Sequence, residues 1–369
     1  MKLKLYKSEH LQYFNMLKQI DKTSLSIKEN KSVNNDSLVF YSKNDKLNIF
    51  IDNGISASNI NLNIDVESDV CFAVDANLFY NAFSNFPTDE VNFAFIQDNN
   101  SLVFGNKKTK VILNATLIEN CSTINSEISV DNDNFTEINA HNLFESIKLT
   151  SFSCAPNFEE MPYSSIMFCV NKDKFNTQSS DKHRVSIYGN FDNCKSYIIS
   201  KSSADLINSF IKPNHKYTYL IENNKLFLKW DNGILSIKLE INIYENVFNS
   251  LQKFLECDKI LEVKINKQAF LKSLKFVSSI SSSDTIDLNF KNNELIISGS
   301  NSNKGLVADK FPLLEEVEEL AVSYVTNHFV KVLDTIEDEY VKFKISNYND
   351  YNILIISASN YKHILFPMD

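Results

Sequence analysis

Glycine and proline are scarce in this chain of 369 residues, at six each. That excludes a collagen-like repeat and a linker-rich architecture. Cysteine is equally sparse, and Cys71, Cys121, Cys154, Cys169, Cys194 and Cys257 are scattered with no C-x-x-C pair and no Cys/His cluster. No zinc or other metal site is expected from such spacing. A chain this long can build hydrophobic cores without disulfide staples, so six mostly buried free thiols in a reducing cytoplasm are expected. No apolar run approaches the roughly 20 residues that span a bilayer. The opening MKLKLYKSEH has lysines but no apolar stretch behind them, so neither a membrane segment nor a signal peptide is expected. Positive charge is in deficit too: 37 Lys and Arg face 46 Asp and Glu, a net charge of −9. A globally acidic chain repels phosphate, so contact with nucleic acid would need a local basic surface.

What the chain does have is a repeat. A short alternating strand, a polar cap and a short amphipathic helix recur as LYKSEHLQYFNML, AVDANLFYNAF, EINAHNLFESI, IISKSSADLINSF, VKINKQAFLKSL and SYVTNHFVKVL. Ser, Asp or Asn near the end of each strand can cap the first N–H groups of the helix. Leu78, Phe79, Ala82, Phe83 and Phe86 form one apolar helical face, and Leu206, Ile207, Phe210 and Ile211 another. The first strong apolar residues of the six helices are Leu11, Leu78, Leu143, Leu206, Phe270 and Phe329, spaced 59 to 67 residues apart. Between them lie alternating stretches that read as antiparallel strands, with turns at Lys43–Lys46, Asp98–Asn100, Glu222–Asn224, Asp231–Gly233 and Lys291–Asn293. Each unit is one helix plus three or four strands, an α+β pattern. Pairing the units gives three domains, 1–131, 132–258 and 259–369, with boundaries in the polar SVDNDN run and near Cys257–Ile260.

The stretch SSDKHRVSIYG, Ser179 to Gly189, gathers residues of catalytic type. As a strand, HRVSIY alternates: His183, Val185 and Ile187 face one way, Arg184, Ser186 and Tyr188 the other. Ser180 is then poorly placed to pair with His183, and no G-x-S-x-G elbow exists anywhere in the chain. A hydrolase built on Asp181, His183 and a distant serine stays open as a minor alternative.

The whole pattern resembles one family, the bacterial DNA polymerase sliding clamp, or β clamp. The family carries T-D-G-H-R-L in its second domain, where this chain has Ser180, Asp181, Lys182, His183, Arg184 and Val185. Its carboxy-terminal apolar strand and M-P-M ending are matched by Ile364, Leu365, Phe366, Pro367 and Met368. INKQAFLKSLKFV is similar to the family's third-domain helix, and FAVDANLFYNAFSNFP to its second unit. Lys182 stands where the family has glycine, Val185 replaces leucine, and Glu245 and Asn249 replace a proline and an arginine. The chain is therefore identified as a divergent member.

The resemblance implies three similar clamp domains per chain, each with two helices packed on antiparallel sheets, forming half of a closed ring. The implied protein is not an enzyme and uses no cofactor. It is a homodimeric processivity factor that encircles duplex DNA and tethers the replicative DNA polymerase. An ATP-dependent clamp loader opens it, and other proteins carrying clamp-binding motifs compete for it. Partner peptides would enter a pocket with an apolar floor of Tyr163, Val185, Ile364, Leu365, Phe366 and Met368. Ser180, His183 and Arg184 would form its polar edges, and Pro367 would shape the strand end. Lys28, Lys31, Lys201, Lys267 and Lys272 would line the DNA hole. The six helix windows carry nine lysines against six acidic residues, the reverse of the chain's balance. Lys108, Lys110, Val111 and Leu113 from the first domain would meet Phe276 and Val277 from the third across the dimer interface, with acidic candidates in Asp309 and LLEEVEEL. A clamp-like peptide-binding adaptor that no longer closes is the principal alternative.

Overall fold

A computed structural model describes residues 2–24, 37–66, 69–119, 128, 130, 134–156, 161–192, 194–240, 244–281, 284–301 and 305–367. The strands are β1 (Lys2–Tyr6), β2 (Ser37–Lys43), β3 (Lys46–Asp52), β4 (Ser56–Asp65), β5 (Cys71–Asp75), β6 (Glu90–Ile96), β7 (Ser101–Gly105), β8 (Lys110–Leu117), β9 (Thr136–Ile138), β10 (Ser165–Asn171), β11 (Lys174–Ser180), β12 (Arg184–Tyr188), β13 (Ser196–Ser200), β14 (Tyr217–Glu222), β15 (Lys225–Trp230), β16 (Gly233–Lys238), β17 (Lys259–Asn266), β18 (Thr285–Asn301), β19 (Gly305–Val325), β20 (Tyr340–Tyr348), β21 (Tyr351–Ala358) and β22 (Tyr361–Leu365). The α-helices among the described residues are α1 (Lys7–Ser24), α2 (Ala76–Ser84), α3 (Ala140–Ser151), α4 (Lys201–Phe210), α5 (Glu245–Leu251), α6 (Lys267–Ile280) and α7 (Thr326–Thr335).

All six expected helices form, and each follows a strand almost without a break: β1–α1, β5–α2, β9–α3, β13–α4, β17–α6 and β19–α7. The caps explain the abrupt switch. Asp75 accepts a hydrogen bond from the Leu78 N–H at 2.7 Å, and Asn266 accepts one from the Ala269 N–H at 3.0 Å. Each satisfies a helix N–H that has no partner within the helix. Helix α5 lies outside the repeat.

The chain divides into two compact units, one of Met1–His141 with Ser202–Glu240, the other of Asn142–Lys201 with Ile241–Asp369. The first is built on a 12-stranded sheet in the order β1-β6-β7-β8-β5-β2-β3-β4-β16-β15-β14-β9. The second is built on an eight-stranded sheet, β13-β10-β11-β12-β22-β21-β20-β17, and the long β18–β19 ribbon. The pairings are antiparallel, consistent with an α+β class.

Phenylalanine fills the first unit. Phe79 of α2 packs on Phe14, Phe40, Phe83, Phe93 and Phe104 at ring-centroid distances of 4.9 to 6.1 Å, and all six rings are buried. Many of these contacts are edge-to-face, the favoured arrangement for ring quadrupoles. Leu78 is 58% exposed and Leu11 is only partly buried, so two of the six apolar markers are not the core residues of their helices. Phe14, Leu17, Phe79 and Phe83 hold those places. Leu143, Leu206, Phe270 and Phe329 are buried as expected.

Four of the expected turns form, two of them with consecutive left-handed residues: Asn44 and Asp45, and Asn223 and Asn224. Their backbone suits the strand twist of a two-residue hairpin. Lys291–Asn293 is different. Strand β18 runs through it and pairs with β19 on both sides, with register shifts around Asn292, whose φ is 56°. Asn292 pairs with Val317 and Glu294 with Pro312, so the extra residues are on β19, which bulges opposite the asparagines while β18 runs on without reversing.

The cysteine expectation is corrected. Cys169 and Cys194 are joined in a disulfide, and Cys71 is also disulfide-bonded. Strand β10 and the loop before β13 bring Cys169 and Cys194 to a Cα separation of 6.1 Å, within bridging range, although 25 residues part them in sequence. Cys154 is a buried free thiol and Cys257 a partly exposed one, while Cys121 lies outside the described residues. No described helix is long and apolar enough to cross a membrane. Among the described residues no group of three or more His, Cys, Asp or Glu could hold a metal ion.

Replacing Phe79 with Ala is expected to destabilise the first unit by about 3–5 kcal/mol. Replacing Asp75 with Ala should cost about 1 kcal/mol by loss of the cap. Urea unfolding followed by circular dichroism measures both, and equal losses would contradict the assignment of Phe79 as the hub of this core.

Candidate peptide-binding surface and charged faces

The eight-stranded sheet brings the two sequence motifs together. Strand β12 pairs antiparallel with β22, placing Arg184 opposite Leu365, Val185 opposite Ile364 and Ser186 opposite His363. The ladder continues past the strand ends, where the Phe366 N–H donates to the His183 carbonyl at 3.3 Å. Residues 177 to 183 apart in sequence thereby become neighbours across one strand spacing.

Both faces of this strand pair are covered. Val185, Ile187 and Ile364 belong to one core, with Met167, Phe248, Leu251 and Ile355. Tyr188, Tyr361 and Leu365 belong to another, with Phe270, Phe329 and Phe343. Strand alternation therefore separates Leu365 from Ile364 and Phe366. Leu365 faces the opposite core and cannot share a floor with Val185. Val185 and Ile364 are fully buried, so they support the surface from beneath.

The partly exposed layer above them comes largely from residues that the motifs did not mark. Phe366 packs edge-on to Phe254 at 5.0 Å, and Phe254 packs on Tyr348 at 4.7 Å. Tyr244, Phe254, Leu255, Tyr348 and Phe366 all lie partly buried against the core of Val185 and Ile364. Phe248 and Phe254 come from α5 and the 3-10 turn after it, a segment that the resemblance touched only at Glu245 and Asn249. Pro367 is partly exposed and borders a separate cavity of about 480 Å³ with Asn289, Asp350, Tyr351 and Asn352. Met368 lies outside the described residues.

The loop before β12 is fixed by its own polar groups. Asp181 accepts from the N–H groups of His183 and Arg184, each at 3.1 Å, and from Arg184 Nε at 2.8 Å. Ser180, itself buried, accepts from the Lys182 N–H. Lys182 has φ = 77°, a conformation that favours glycine, which explains why the related motif carries glycine there. Its ammonium lies 4.9 Å from the Tyr163 ring centroid, a cation–π contact. His183 is exposed, whereas Arg184 is buried, donates to the Phe152 carbonyl at 2.8 Å and lies against the Phe152 ring. Arg184 is thus a structural residue of the loop more than an open edge.

Beneath it lies a buried polar network. Ser186 Oγ is 2.7 Å from Ser153 Oγ, 2.9 Å from the Tyr361 hydroxyl and 2.8 Å from His363 Nδ1. His363 Nε2 and Arg184 Nη1 are buried without a hydrogen-bond partner. A Ser–His pair therefore exists, but it is Ser186–His363 and not one built on His183. Both side chains are fully buried, and no carboxylate meets the free ring nitrogen, so substrate has no path to the hydroxyl. Burial, reinforced by the Arg184 guanidinium and then His328, holds the His363 imidazole well below its usual range. Burial and Arg184 likewise push His328 down to about 4, against an opposing pull from Asp181.

The lysine candidates for a DNA-facing surface fare unevenly. Lys28 and Lys31 lie outside the described residues. Lys267 is buried and its ammonium donates to the Ile336 carbonyl, so it cannot reach a phosphate. Its place in the first turn of α6 turns the side chain inward. Lys201 is partly buried at the start of α4, and Lys272 is exposed on α6. Elsewhere on the helices, Lys148 pairs with Glu337 and Lys275 with Asp334.

The dimer candidates divide similarly. In the first unit, β8 pairs with β7 along Lys110–Asn114 and with β5 only along Ala115–Leu117. One edge of its first half is open among the described residues, with Lys108 and Lys110 exposed and Val111 and Leu113 half-buried. Ile112, unmarked by the sequence reading, is 57% exposed. In the second unit Phe276 is 50% exposed on α6, but Val277 is fully buried in the core and cannot serve as a contact. Helical spacing puts the two on different sides of α6, and Ile280, four residues on from Phe276, is the exposed apolar neighbour.

The buried histidines predict a pH dependence. A neutral buried imidazole binds its proton only in the unfolded chain, so stability is full above about pH 6.5 and falls as pH drops below it. His363 contributes a slope of up to about 1.4 kcal/mol per pH unit. His363→Asn should flatten that slope in denaturation midpoints taken between about pH 7 and pH 5. An unchanged slope would place the proton uptake elsewhere.

Solved structures share this fold over the full length of the chain. The DNA polymerase sliding clamp from Bacillus subtilis superposes with a TM-score of 0.83 at 13% identity, covering 100% of this chain and 99% of that one. The DNA polymerase III beta subunit of Thermotoga maritima gives 0.81 at 14% identity, with 100% and 99% covered. A sliding clamp from Pseudomonas aeruginosa, bound to griselimycin, gives 0.80 at 14% identity, also with 100% and 99% covered. No protein-family model and no curated protein sequence matches the chain. From end to end, the chain has the fold of the bacterial DNA polymerase III beta sliding clamps.

Proposed function

We propose that this protein is a DNA sliding clamp, a homodimeric ring that encircles duplex DNA and tethers a replicative polymerase in the cytoplasm. The observation that carries the reading is the whole-chain match of fold to sliding clamps, with 100% of this chain covered. Supporting it is the repeat of six strand–helix units, which the proposal groups into three clamp domains, 1–131, 132–258 and 259–369. The role is that of a non-enzymatic processivity factor. An ATP-dependent loader opens the ring, and polymerase and other partners share one peptide site.

In this reading the peptide site lies over the core of Val185, Ile187 and Ile364. Phe366, Phe254 and Tyr348 receive the apolar end of a partner motif. His183, Lys182 and Tyr163 form the polar rim. Partially exposed aromatics over a packed floor suit such an anchor, because they offer large apolar area at low entropic cost. Ring closure uses the open edge of β8, around Ile112, from one copy and the Phe276 face of α6 from the other. Encirclement replaces tight binding, so a modest inner charge suffices; Lys272 and Lys201 supply part of it.

Two measurements test this. Phe366→Ala combined with Phe254→Ala is expected to weaken a fluorescent clamp-motif peptide about 10-fold or more, with the far-UV spectrum unchanged. Unchanged affinity would remove the site from this surface. Small-angle scattering and sedimentation should give twice the 42.3 kDa chain mass and a hollow profile, reduced to monomer by Ile112→Asp or Phe276→Asp. A wild-type monomer at every concentration that still binds the peptide would favour a non-closing, peptide-binding adaptor.

A further inference from the structure

At the other end of β12 and β22 lies a cavity that the clamp reading does not use. Its volume is about 440 Å³, within the range of roughly 300–1,000 Å³ that holds small molecules. Four residue steps along β12 separate Arg184 from Tyr188, about 13 Å at strand rise, so the cavity is distinct from the candidate peptide surface.

Its lining is polar and cationic, unlike that of most apolar ligand pockets. Tyr188 and Asn176 form a buried base, at 6% and 5% exposure. Asn142, at the N-terminal end of α3, uses its carbonyl to accept from the Phe175 N–H at 2.5 Å. Its amide then points to the Tyr188 hydroxyl at 3.4 Å. Burial raises the Tyr188 pKa, so the phenol keeps its proton and remains a donor. Lys172, Lys174 and Lys362 rim the cavity, with Asp173 as the one acidic lining residue. None of these three ammoniums forms an ion pair with a described residue.

The wall is preformed. Gly189 has φ = 81°, and a Cβ there would lie 1.9 Å from the Asn176 carbonyl oxygen, so only glycine permits this approach. The Gly189 N–H donates to the Asn360 carbonyl at 2.9 Å. The loop that starts at Gly189 is tied back to β10 through Cys194 and Cys169. Lys172 has φ = 59° in the tight β10–β11 turn, which presents Lys172 and Lys174 on either side of Asp173.

We propose that this cavity binds a small phosphorylated molecule through its phosphate or diphosphate group. Three ammoniums opposed by one carboxylate leave a charge that one carboxylate ligand would not balance. In this proposal the three ammoniums at the rim and the Tyr188 phenol at the base are the donors to the oxygens of a tetrahedral anion. Charge-assisted bonds of this kind are stronger than neutral ones, and a polar cavity gives no apolar ligand a reason to bind.

The test is calorimetric titration of the full chain with pyrophosphate at near-physiological salt, with sulfate and a short blunt DNA duplex as separate arms. Saturable one-site binding of pyrophosphate is expected. The Lys172→Ala, Lys362→Ala double variant should weaken it about 10-fold or more, and Tyr188→Phe by a smaller factor. Both lysines are exposed, so the double variant should keep the wild-type melting curve, which checks the fold. Heats that never saturate overturn the proposal, as does pyrophosphate affinity unchanged in the double variant. Equal binding of sulfate and pyrophosphate would reduce the site to a diffuse cationic patch and overturn it. Duplex binding that depends on these lysines, with pyrophosphate inert, would make them a nucleic-acid contact and overturn it as well.

Discussion

The pairing of β12 with β22 is the constraint on which the second unit depends. Five residues from the middle of the chain and five from near its end share one antiparallel ladder. Each bond contributes only about 0.5–1.5 kcal/mol net, because water competes for the same groups. The larger effect is positional. The ladder fixes which side chains face which core, and a slip of one residue would exchange every one of them.

The same register explains the buried polar network. Ser186 faces the side of the sheet that carries His363 and Tyr361 across the ladder. A hydroxyl, a phenol and an imidazole inside an apolar core are tolerable only when they bond to one another. The cost is visible in the two orphaned nitrogens, Arg184 Nη1 and His363 Nε2, and in the depressed titration of His363. Arg184 pairs with Asp181 at 2.8 Å with both side chains largely buried, so removing either partner would strand a charge. The loop that carries the exposed His183 is therefore held by this ion pair and by the backbone bonds to Asp181.

The candidate surfaces differ in how much of them could be read from residues alone. Of the residues marked by motif order, His183 is exposed and Phe366 partly exposed beside the β12–β22 ladder, whereas Pro367 borders a separate cavity. Phe254 and Tyr348 lie beside Phe366 but sit in segments with no motif, and Ile112 lies between the marked Val111 and Leu113, so only packing reveals them. Lys267 and Val277 show the converse. Both lie in a helix whose composition suits a surface role, yet the phase of α6 turns them inward. Composition gives the number of lysines on a helix, whereas its rotation about its axis decides which of them meet solvent.

Sequence by itself determined the six strand–helix units, most of the turns and the alternation along β12, because these follow from capping, period and φ preference within a few residues. Its resemblance to the clamps also put the SDKHRV segment and the apolar end of the chain in one candidate site, and the β12–β22 ladder pairs those two segments. Tertiary structure decided the rest. It set the side of the ladder on which Leu365 falls, the meeting of Ser186 with His363, and the closeness of Cys169 to Cys194. It also set the bulge of β19 opposite Asn292 and the gathering of Lys172, Lys174 and Lys362 around one cavity. Each of these depends on contacts between residues far apart in the chain, and local preference carries no information about partners that only folding brings near.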